Sequence, residues 1–266
     1  MKVKFLLLFF LVLLSSPVSA QVFVEQGKVN VLVHPGEQIS DAVTVSNTTG
    51  KTVKARIYWE DFSYQSPFDG AKKFAPAGTL KTSLASWVKF SPRDVVLPAF
   101  GKVNISYVID VPQNASGGYY GVLFVEPQNT LMGEGDKGVR IITRVGSLFF
   151  VETGDRNKTA SLADVSIQGK KLKARLRNSG NVVLLPEASF YVMDREGLAM
   201  DRGEIKKYYL PPDGVVDIEV ALGSELSKGE YTMVLTFDLQ DGDVLVKEIE
   251  FSKNSDIEYQ LRNIRD

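Results

Sequence analysis

Beyond residue 21, apolar positions come in short runs rich in Val, Ile, Phe and Tyr, and turn-forming residues bound almost every run. Residues 29–33 form one run before a Pro-Gly pair, residues 39–45 alternate apolar and polar positions, and residues 53–59 alternate again after a Thr-Gly turn. A period of two residues between turn formers is typical of antiparallel strands. Helical periodicity is almost absent before residue 253. The pattern predicts an all-β protein.

An internal repeat predicts two copies of one β module. A Leu-Pro-x-x-Gly motif opens a strand pattern at residues 97–101 and again at residues 210–214. Proline fixes φ and stops the preceding strand pairing, so the motif suits a strand entry after a turn. An Asn that closes an earlier strand, with a Gly soon after it, recurs as Asn47 and Asn178. We therefore expect two tandem immunoglobulin-like β-sandwiches.

A Gly-x-Tyr step follows each Leu-Pro-x-x-Gly motif. Tyr119 lies eighteen residues after Gly101, and Tyr231 lies seventeen residues after Gly214. In immunoglobulin-like sandwiches a Tyr at this place ties a sheet-to-sheet crossing to the backbone through its hydroxyl. The repeated spacing predicts such a tyrosine corner in both modules.

The chain divides into four predicted segments. Residues 1–20 have a basic start, an apolar run of about ten residues and a small-residue cleavage pattern, which indicates a cleaved secretory signal peptide. That run is too short for a membrane span of about twenty residues. Residues 21–153 and 157–252 are the two predicted immunoglobulin-like domains. The polar tail, residues 253–266, is expected to be a short amphipathic helix or a frayed end.

Two turn-rich segments allow more than one interpretation. Asp241-Gly242 between two strand patterns predicts a type I′ hairpin turn, although Asp238, Asp241 and Asp243 are also possible calcium ligands. The hairpin explains these carboxylates without an ion. Residues 64–82 are predicted to form a long surface excursion of the first domain, and such loops are often functional.

Composition narrows the possible chemistry. The chain has no Cys and one His, which excludes Cys nucleophiles, disulfides and the usual zinc sites. A Ser-His-Asp triad would have to use His34, and no G-x-S-x-G motif accompanies it. The formal net charge of −1 argues against a nucleic-acid partner. We expect no catalytic residue, no cofactor, no metal site and no membrane anchor.

Four sequons and two tryptophans are possible sites for sugars. The Asn-x-Ser/Thr sequons begin at Asn47, Asn104, Asn114 and Asn157, and each also suits an ordinary turn residue. Trp59 ends an alternating run, which favours a core position, whereas Trp87 lies beside the excursion and is the candidate for stacking on a sugar ring.

Several motifs together resemble a known family. Val31-Leu32-Val33-His34-Pro35-Gly36, Val43-Thr44-Val45-Ser46-Asn47, Ser86-Trp87-Val88-Lys89-Phe90-Ser91-Pro92 and Val96-Leu97-Pro98 are similar to the N-terminal domain of periplasmic pilus-assembly chaperones. They are also similar to related domains of exported bacterial surface proteins. The resemblance covers residues 22–151. It implies two sandwiches with a cleft between them, and exported protein subunits as partners, which pair with the last strand of the first domain.

The corresponding strand would span residues 139–151, after a Gly-rich loop. Its first seven residues are the predicted partner-binding segment: Val139, Arg140, Ile141, Ile142, Thr143, Arg144 and Val145. Alternate apolar side chains would enter the partner's pockets, and Arg140 and Arg144 would lie on the opposite face. The alternative is an ordinary last strand whose apolar face packs in the core.

The resemblance also implies a pair of basic residues that anchor the partner's C-terminal carboxylate. Ser147 and Asn30 occupy the matching positions in this chain, Lys28 lies near the second, and Arg144 is a possible substitute for the first. Two other functions stay open. One is a structural module of the cell envelope, and the other is a carbohydrate-binding accessory that uses Trp87.

Overall fold

A computed structural model describes residues 22–128, 143–223, 226–255 and 258–265 of the protein. Eighteen strands and no α-helix are found in these ranges. Within them, no helix is long and apolar enough to cross a membrane. The predicted signal peptide lies outside the described residues.

Ten strands build the first half of the chain. They are β1 (Val22–Val24), β2 (Lys28–Val33), β3 (Gln38–Asn47), β4 (Val53–Tyr64), β5 (Lys72–Pro76), β6 (Val88–Ser91), β7 (Asp94–Leu97), β8 (Lys102–Asp110), β9 (Gly117–Pro127) and β10 (Val145–Thr153). One sheet has the order β1-β3-β8-β6, and the other has the order β2-β10-β9-β4-β5 with β7 also paired to β4. All these pairings are antiparallel except that of β10 with β2.

Eight strands build the second half. They are β11 (Ala160–Gln168), β12 (Lys171–Asn178), β13 (Glu187–Met193), β14 (Ala199–Glu204), β15 (Val215–Ala221), β16 (Gly229–Asp238), β17 (Val244–Lys253) and β18 (Tyr259–Arg265). The sheet orders are β11-β12-β15 and β14-β13-β16-β17-β18. The predicted all-β fold of two tandem immunoglobulin-like sandwiches is confirmed.

Each half has its own apolar core, which the period-two pattern supplies. Ile57, Ile105 and Phe149 are among the fully buried residues of the first core, and Leu235 and Phe251 are among those of the second. Burying a large apolar side chain of this kind contributes roughly 2 kcal/mol. These cores stabilise both sandwiches without disulfides, since the chain has no Cys.

The predicted repeat is present in the hydrogen bonds. Asn47 Nδ2 donates to the carbonyl oxygens of Lys51 and Leu97 at 2.7 and 3.3 Å. In the second half, Asn178 Nδ2 donates to Val182 and Leu210 at 2.8 and 2.9 Å. Each Asn thus bonds to the residue four positions later and to the Leu of the Leu-Pro-x-x-Gly motif. One buried amide fastens the same two chain segments in both sandwiches.

The Gly-x-Tyr step behaves differently in the two halves. Tyr231 forms the predicted corner, because its hydroxyl donates to the carbonyl oxygen of Ser227 at 2.8 Å. Tyr119 instead packs on Trp87, with ring centroids 4.0 Å apart. The hydroxyl of the next residue, Tyr120, accepts a bond from Val183 N, across the junction between the halves. The prediction of a tyrosine corner in the first half is wrong.

Three further expectations need correction. The described part of the tail is strand β18, paired to β17, and is not a helix. The β16–β17 connection contains five residues rather than a two-residue type I′ turn, with Gln240 at φ 67°. The predicted excursion, residues 64–82, contains strand β5, which pairs with β4. The buried Asp61 carboxylate then holds the following loop by accepting bonds from Thr79 N and Leu80 N.

Burial answers the sugar-related expectations for Asn47 and for the two tryptophans. Asn47 is 3% exposed and fully used in hydrogen bonds, so its amide is no glycan acceptor in the folded protein. Trp87 is 8% exposed and belongs to the first core. Trp59 also packs against that core, as predicted. The carbohydrate-binding hypothesis therefore loses the residue on which it depended.

Candidate functional site

Strand β10 has a partner strand on both sides along only part of its length. It pairs with β9 from Val145 to Thr153. It pairs with β2, in parallel, only from Leu148 onward, where Leu148 faces Lys28. The contact begins where Leu148 N donates to Gly27 O at 3.0 Å and the Ser147 hydroxyl donates to Gln26 O. The edge of β10 before Ser147 is therefore unpaired among the described residues.

The register shows which backbone groups this open edge presents. Since Leu148 N bonds to Gly27 O, the even-numbered residues of β10 direct their N–H and C=O groups toward the β2 side. Within β10 the unpaired residue of this set is Gly146, and Arg144 directly precedes the strand. A Cβ at Gly146 would lie 2.7 Å from a Val122 methyl carbon, so the outer face here admits only glycine. Gly146 thus offers one backbone donor and one acceptor to an incoming strand, and strand addition would extend this pairing to Arg144.

The predicted partner-binding segment lies partly outside the described residues, which exclude Val139, Arg140, Ile141 and Ile142. Thr143 is exposed and precedes β10. Val145 opens β10 and packs against the first core, on the same face as Phe149. Arg144 lies on the opposite face. The structure thus brings Thr143, Arg144 and Val145 to the open edge.

Arg144 is held by its own domain. Its guanidinium donates to Glu60 at 2.7 Å and to the Tyr58 hydroxyl at 2.9 Å, and it lies 3.8 Å from the centre of the Phe124 ring. The hydrogen bond to Glu60 raises the pKa of Arg144 above its ordinary value. These contacts fix the start of β10 on the outer face of the sheet. The guanidinium that the resemblance offers as a possible anchor thus already pairs with a carboxylate of its own domain.

The two positions that match the family's basic pair carry no charge, but two lysines lie nearby. Ser147 is fully buried, and Asn30 is exposed on β2. The Lys28 ammonium lies 4.4 Å from the centre of the Phe150 ring. Lys72 was not anticipated from the sequence, because it belongs to the excursion; its ammonium lies 5.0 Å from the Tyr64 ring centre. No described carboxylate forms an ion pair with either lysine.

The two lysines are close enough to influence each other. Burial lowers the pKa of Lys72, and the positive charge of Lys28 lowers it further. Two ammonium groups over aromatic rings create a positive, partly apolar region. An anion placed between them would reduce their repulsion. The region is therefore suited to a carboxylate.

Lys28 borders a cavity of about 310 Å³ between the two halves. The first half contributes Lys28, Asn30, Val31, Leu32, Tyr64, Phe150 and Glu152, and the rest of the wall is formed by Lys158, Val183, Leu184, Leu185, Leu239 and Gln240. The lining is mostly apolar, with lysines at both sides. The cavity lies beside β2 and the second part of β10.

Direct contacts fix the two walls of the cavity. Tyr209 N donates to Phe68 O at 2.8 Å, and the Tyr209 ring stacks on Tyr64 with centroids 5.0 Å apart. On the other side Arg156 bridges Glu152 at 3.0 Å and Asp241 at 2.7 Å. Hydrogen bonds from Lys158 and Arg156 lower the pKa of Asp241 to about 2. This carboxylate is therefore used in an ion-pair network, which explains it without a calcium ion.

Comparison with known proteins gives a match of fold. No family model and no curated protein sequence matches the chain. A chain from the structure titled as a chaperone–tip adhesin complex in CFA/I fimbriae biogenesis matches with a TM-score of 0.53 and 12% identity, covering 91% of this chain and 99% of that one. The class 5 fimbriae chaperone CfaA matches with a TM-score of 0.52 and 11% identity, covering 85% and 97%. The chain therefore has the two-domain fold of a periplasmic fimbrial chaperone.

Proposed function

We propose that this protein is an exported, non-enzymatic chaperone that captures an extended segment of an exported β-rich subunit by strand addition to β10. The observation that carries the proposal is the unpaired edge of β10 before Ser147. The fold it shares with CfaA supports the same role. Backbone hydrogen bonds would supply affinity, and the partner's strand edge would be shielded from aggregation until assembly.

The parallel entry of β2 limits how a partner strand can lie. Because β2 occupies the same side of β10 from Leu148 onward, an added strand must stop near Gly27. A strand that runs parallel to β10 would bring its C-terminal carboxylate to the start of β2, where Lys28 begins the strand. Lys28 and Lys72 would then take the role that the family gives to its basic pair.

A synthetic peptide tests strand capture at this edge. The probe is a twelve-residue peptide of alternating Val and Thr with a free carboxylate and a fluorescent label at its N-terminus, and binding is followed by anisotropy. Arg144→Pro removes the outward N–H, and Arg144→Ala keeps it while removing the same side chain. Since a buried hydrogen bond contributes about 1 kcal/mol and its loss leaves a partner group unsatisfied, we expect the Pro variant to bind about tenfold more weakly than the Ala variant.

The same peptide with an amidated C-terminus tests the carboxylate anchor. We expect the acid to bind about tenfold more tightly than the amide, and Lys28→Ala to remove most of this difference. Equal binding of the Pro and Ala variants of Arg144 would refute capture at the β10 edge. An acid-to-amide ratio that Lys28→Ala leaves unchanged would refute the anchor alone.

The proposed role also fixes where the protein works. An exported chaperone needs the predicted cleavage after Ala20, which yields a mature chain that starts at Gln21 and resides in the periplasm or is secreted. Mass spectrometry of the N-terminal peptide from the exported fraction checks this. A retained Met1 would contradict the export step.

A further inference from the structure

Strand β2 presents a second unpaired edge, on the side away from β10. It ends the sheet order β2-β10-β9-β4-β5, and it pairs with β10 alone. In that parallel register Gly27 O accepts from Leu148, so the odd-numbered residues of β2 direct their backbone groups toward β10. The N–H and C=O groups of Lys28, Asn30 and Leu32 therefore point outward. No described backbone group bonds to these three residues.

This edge borders the cavity between the two halves. Lys28, Asn30 and Leu32 all line the cavity, and the opposite wall includes Leu185 and Leu239. Leu32 is 67% exposed on this edge, so its side chain is accessible to an added strand. An extended chain laid along β2 would cover Leu32 and would meet the apolar wall of the second domain.

The side chains on either side of the edge indicate the kind of segment that fits. On the core side, Val29 and Val31 are only half-buried and pack at the margin of the first core. On the outer side lies Lys28, which forms no ion pair with any described residue. The cavity residues Glu152 and Lys158 are both already in ion pairs, with Arg156 and Asp241. A strand whose residues alternate would place apolar side chains over the valines and an acidic one beside Lys28. Charge complementarity thus favours an acidic–apolar alternation.

We propose that the outer edge of β2 is a second strand-addition site, which binds an extended segment of alternating acidic and apolar residues from the captured partner. The inference rests on the proposed function, because the same partner would supply both segments. The two sites use different backbone edges and share Lys28, since a strand on β10 ends where β2 begins and a strand on β2 lies one position further out.

Amide hydrogen exchange, read residue by residue by NMR on the mature chain, tests the second site. The probe is a ten-residue peptide of alternating Glu and Val, acetylated and amidated so that it has no terminal carboxylate. Strand addition predicts slower exchange, by about tenfold or more, at the N–H groups of Lys28, Asn30 and Leu32 only. The N–H groups of Val29, Val31 and Val33 are already bonded to β10 and should not change.

Two variants at one position sharpen the test. Asn30→Pro removes one outward N–H and leaves the bonds to β10, and Pro is tolerated on an edge strand. Asn30→Ala keeps that N–H. We expect Pro to weaken binding at least tenfold relative to Ala, and we expect a Lys–Val peptide to bind about tenfold more weakly than the Glu–Val peptide at low salt. If Asn30→Pro does not fold, the alternating exchange pattern of the unmutated chain still tests the second site.

The outcomes separate this inference from the proposed function. Protection at Arg144 and Gly146 without protection on β2 overturns the second site and leaves capture at β10 in place. Protection at odd- and even-numbered residues of β2 alike overturns strand addition there, because it indicates general stabilisation. A peptide that protects neither edge overturns the second site, and failure of the Val–Thr peptide as well overturns the proposed function.

Discussion

Replacing Tyr120 by Phe should loosen the wall of the cavity without disturbing its packing. The Tyr120 side chain is 4% exposed, and its hydroxyl accepts a hydrogen bond from Val183 N at 2.8 Å. The ring packs with Phe150 at a centroid distance of 5.5 Å, and Phe retains that contact. The substitution therefore removes one acceptor and leaves the Val183 N–H unsatisfied between the two halves.

The magnitude follows from the place of that bond. A neutral hydrogen bond contributes about 1 kcal/mol net, and leaving a buried donor unpaired costs about 1–3 kcal/mol. Val183 is half-buried and lines the cavity, so water can partly replace the lost acceptor. We expect Tyr120→Phe to lower the free energy of unfolding by about 1–2 kcal/mol. Burial raises the pKa of Tyr120 above its ordinary value of 10, so the phenol stays protonated. The loss of stability in Tyr120→Phe should therefore not vary between pH 5 and 9.

Urea unfolding gives the stability change, and amide exchange at Val183 locates it. We expect the Val183 N–H to exchange at least tenfold faster in the variant, whereas amides in the β16–β17 ladder should keep their rates. A stability change below about 0.5 kcal/mol together with an unchanged Val183 rate would refute the role of this bond.

Two other perturbations test the repeat and the ion pairs. Asn178→Ala and Asn47→Ala should each lower the free energy of unfolding by about 2–4 kcal/mol, because each leaves several buried backbone groups without a partner; urea unfolding measures this, and a loss in only one sandwich would contradict equivalent roles. The pKa of Asp241 falls from 3.8 to about 2 on folding, so its stabilising contribution is fully present above about pH 4 and is lost as the pH falls through 2. The stability difference between the protein and Asp241→Asn should therefore shrink between pH 4 and pH 2 in urea titrations, and a constant difference would exclude the ion pairs as its cause.

The strands and the repeat could be predicted from the sequence because both depend on local signals. The period-two pattern marks buried faces directly. The Leu-Pro-x-x-Gly motif marks the segments whose Leu carbonyl oxygens accept hydrogen bonds from Asn47 and Asn178. The tail was predicted wrongly for a physical reason. Its apolar residues Leu261 and Ile264 have helical spacing, but β18 pairs with β17 across an irregularity at Glu250/Phe251 that breaks strict alternation.

The candidate site depends on contacts between residues far apart in sequence, which no local pattern reports. Lys28 and Lys72 belong to strands at opposite ends of one sheet, and their ammonium groups lie over two rings, Phe150 and Tyr64, of one buried cluster. The clamp of Arg144 likewise requires Glu60 from β4. Sequence reasoning identified β10 as the strand of interest, but the extent of its open edge follows from the point at which β2 joins it.

The point at which β2 begins to pair with β10 sets the length and polarity of both proposed sites. If the pairing of β2 with β10 began two residues earlier, Gly146 would be paired and the first site would lose half its backbone groups. If it joined later, Lys28 would move away from Phe150 and from the region where a carboxylate would be bound. The buried Ser147, which bonds to Gln26 O where the family has a basic residue, fixes the junction from the core side. Ser147 has no charge at a position where the family has a basic residue, and it thus positions Lys28, the residue proposed to supply the positive charge.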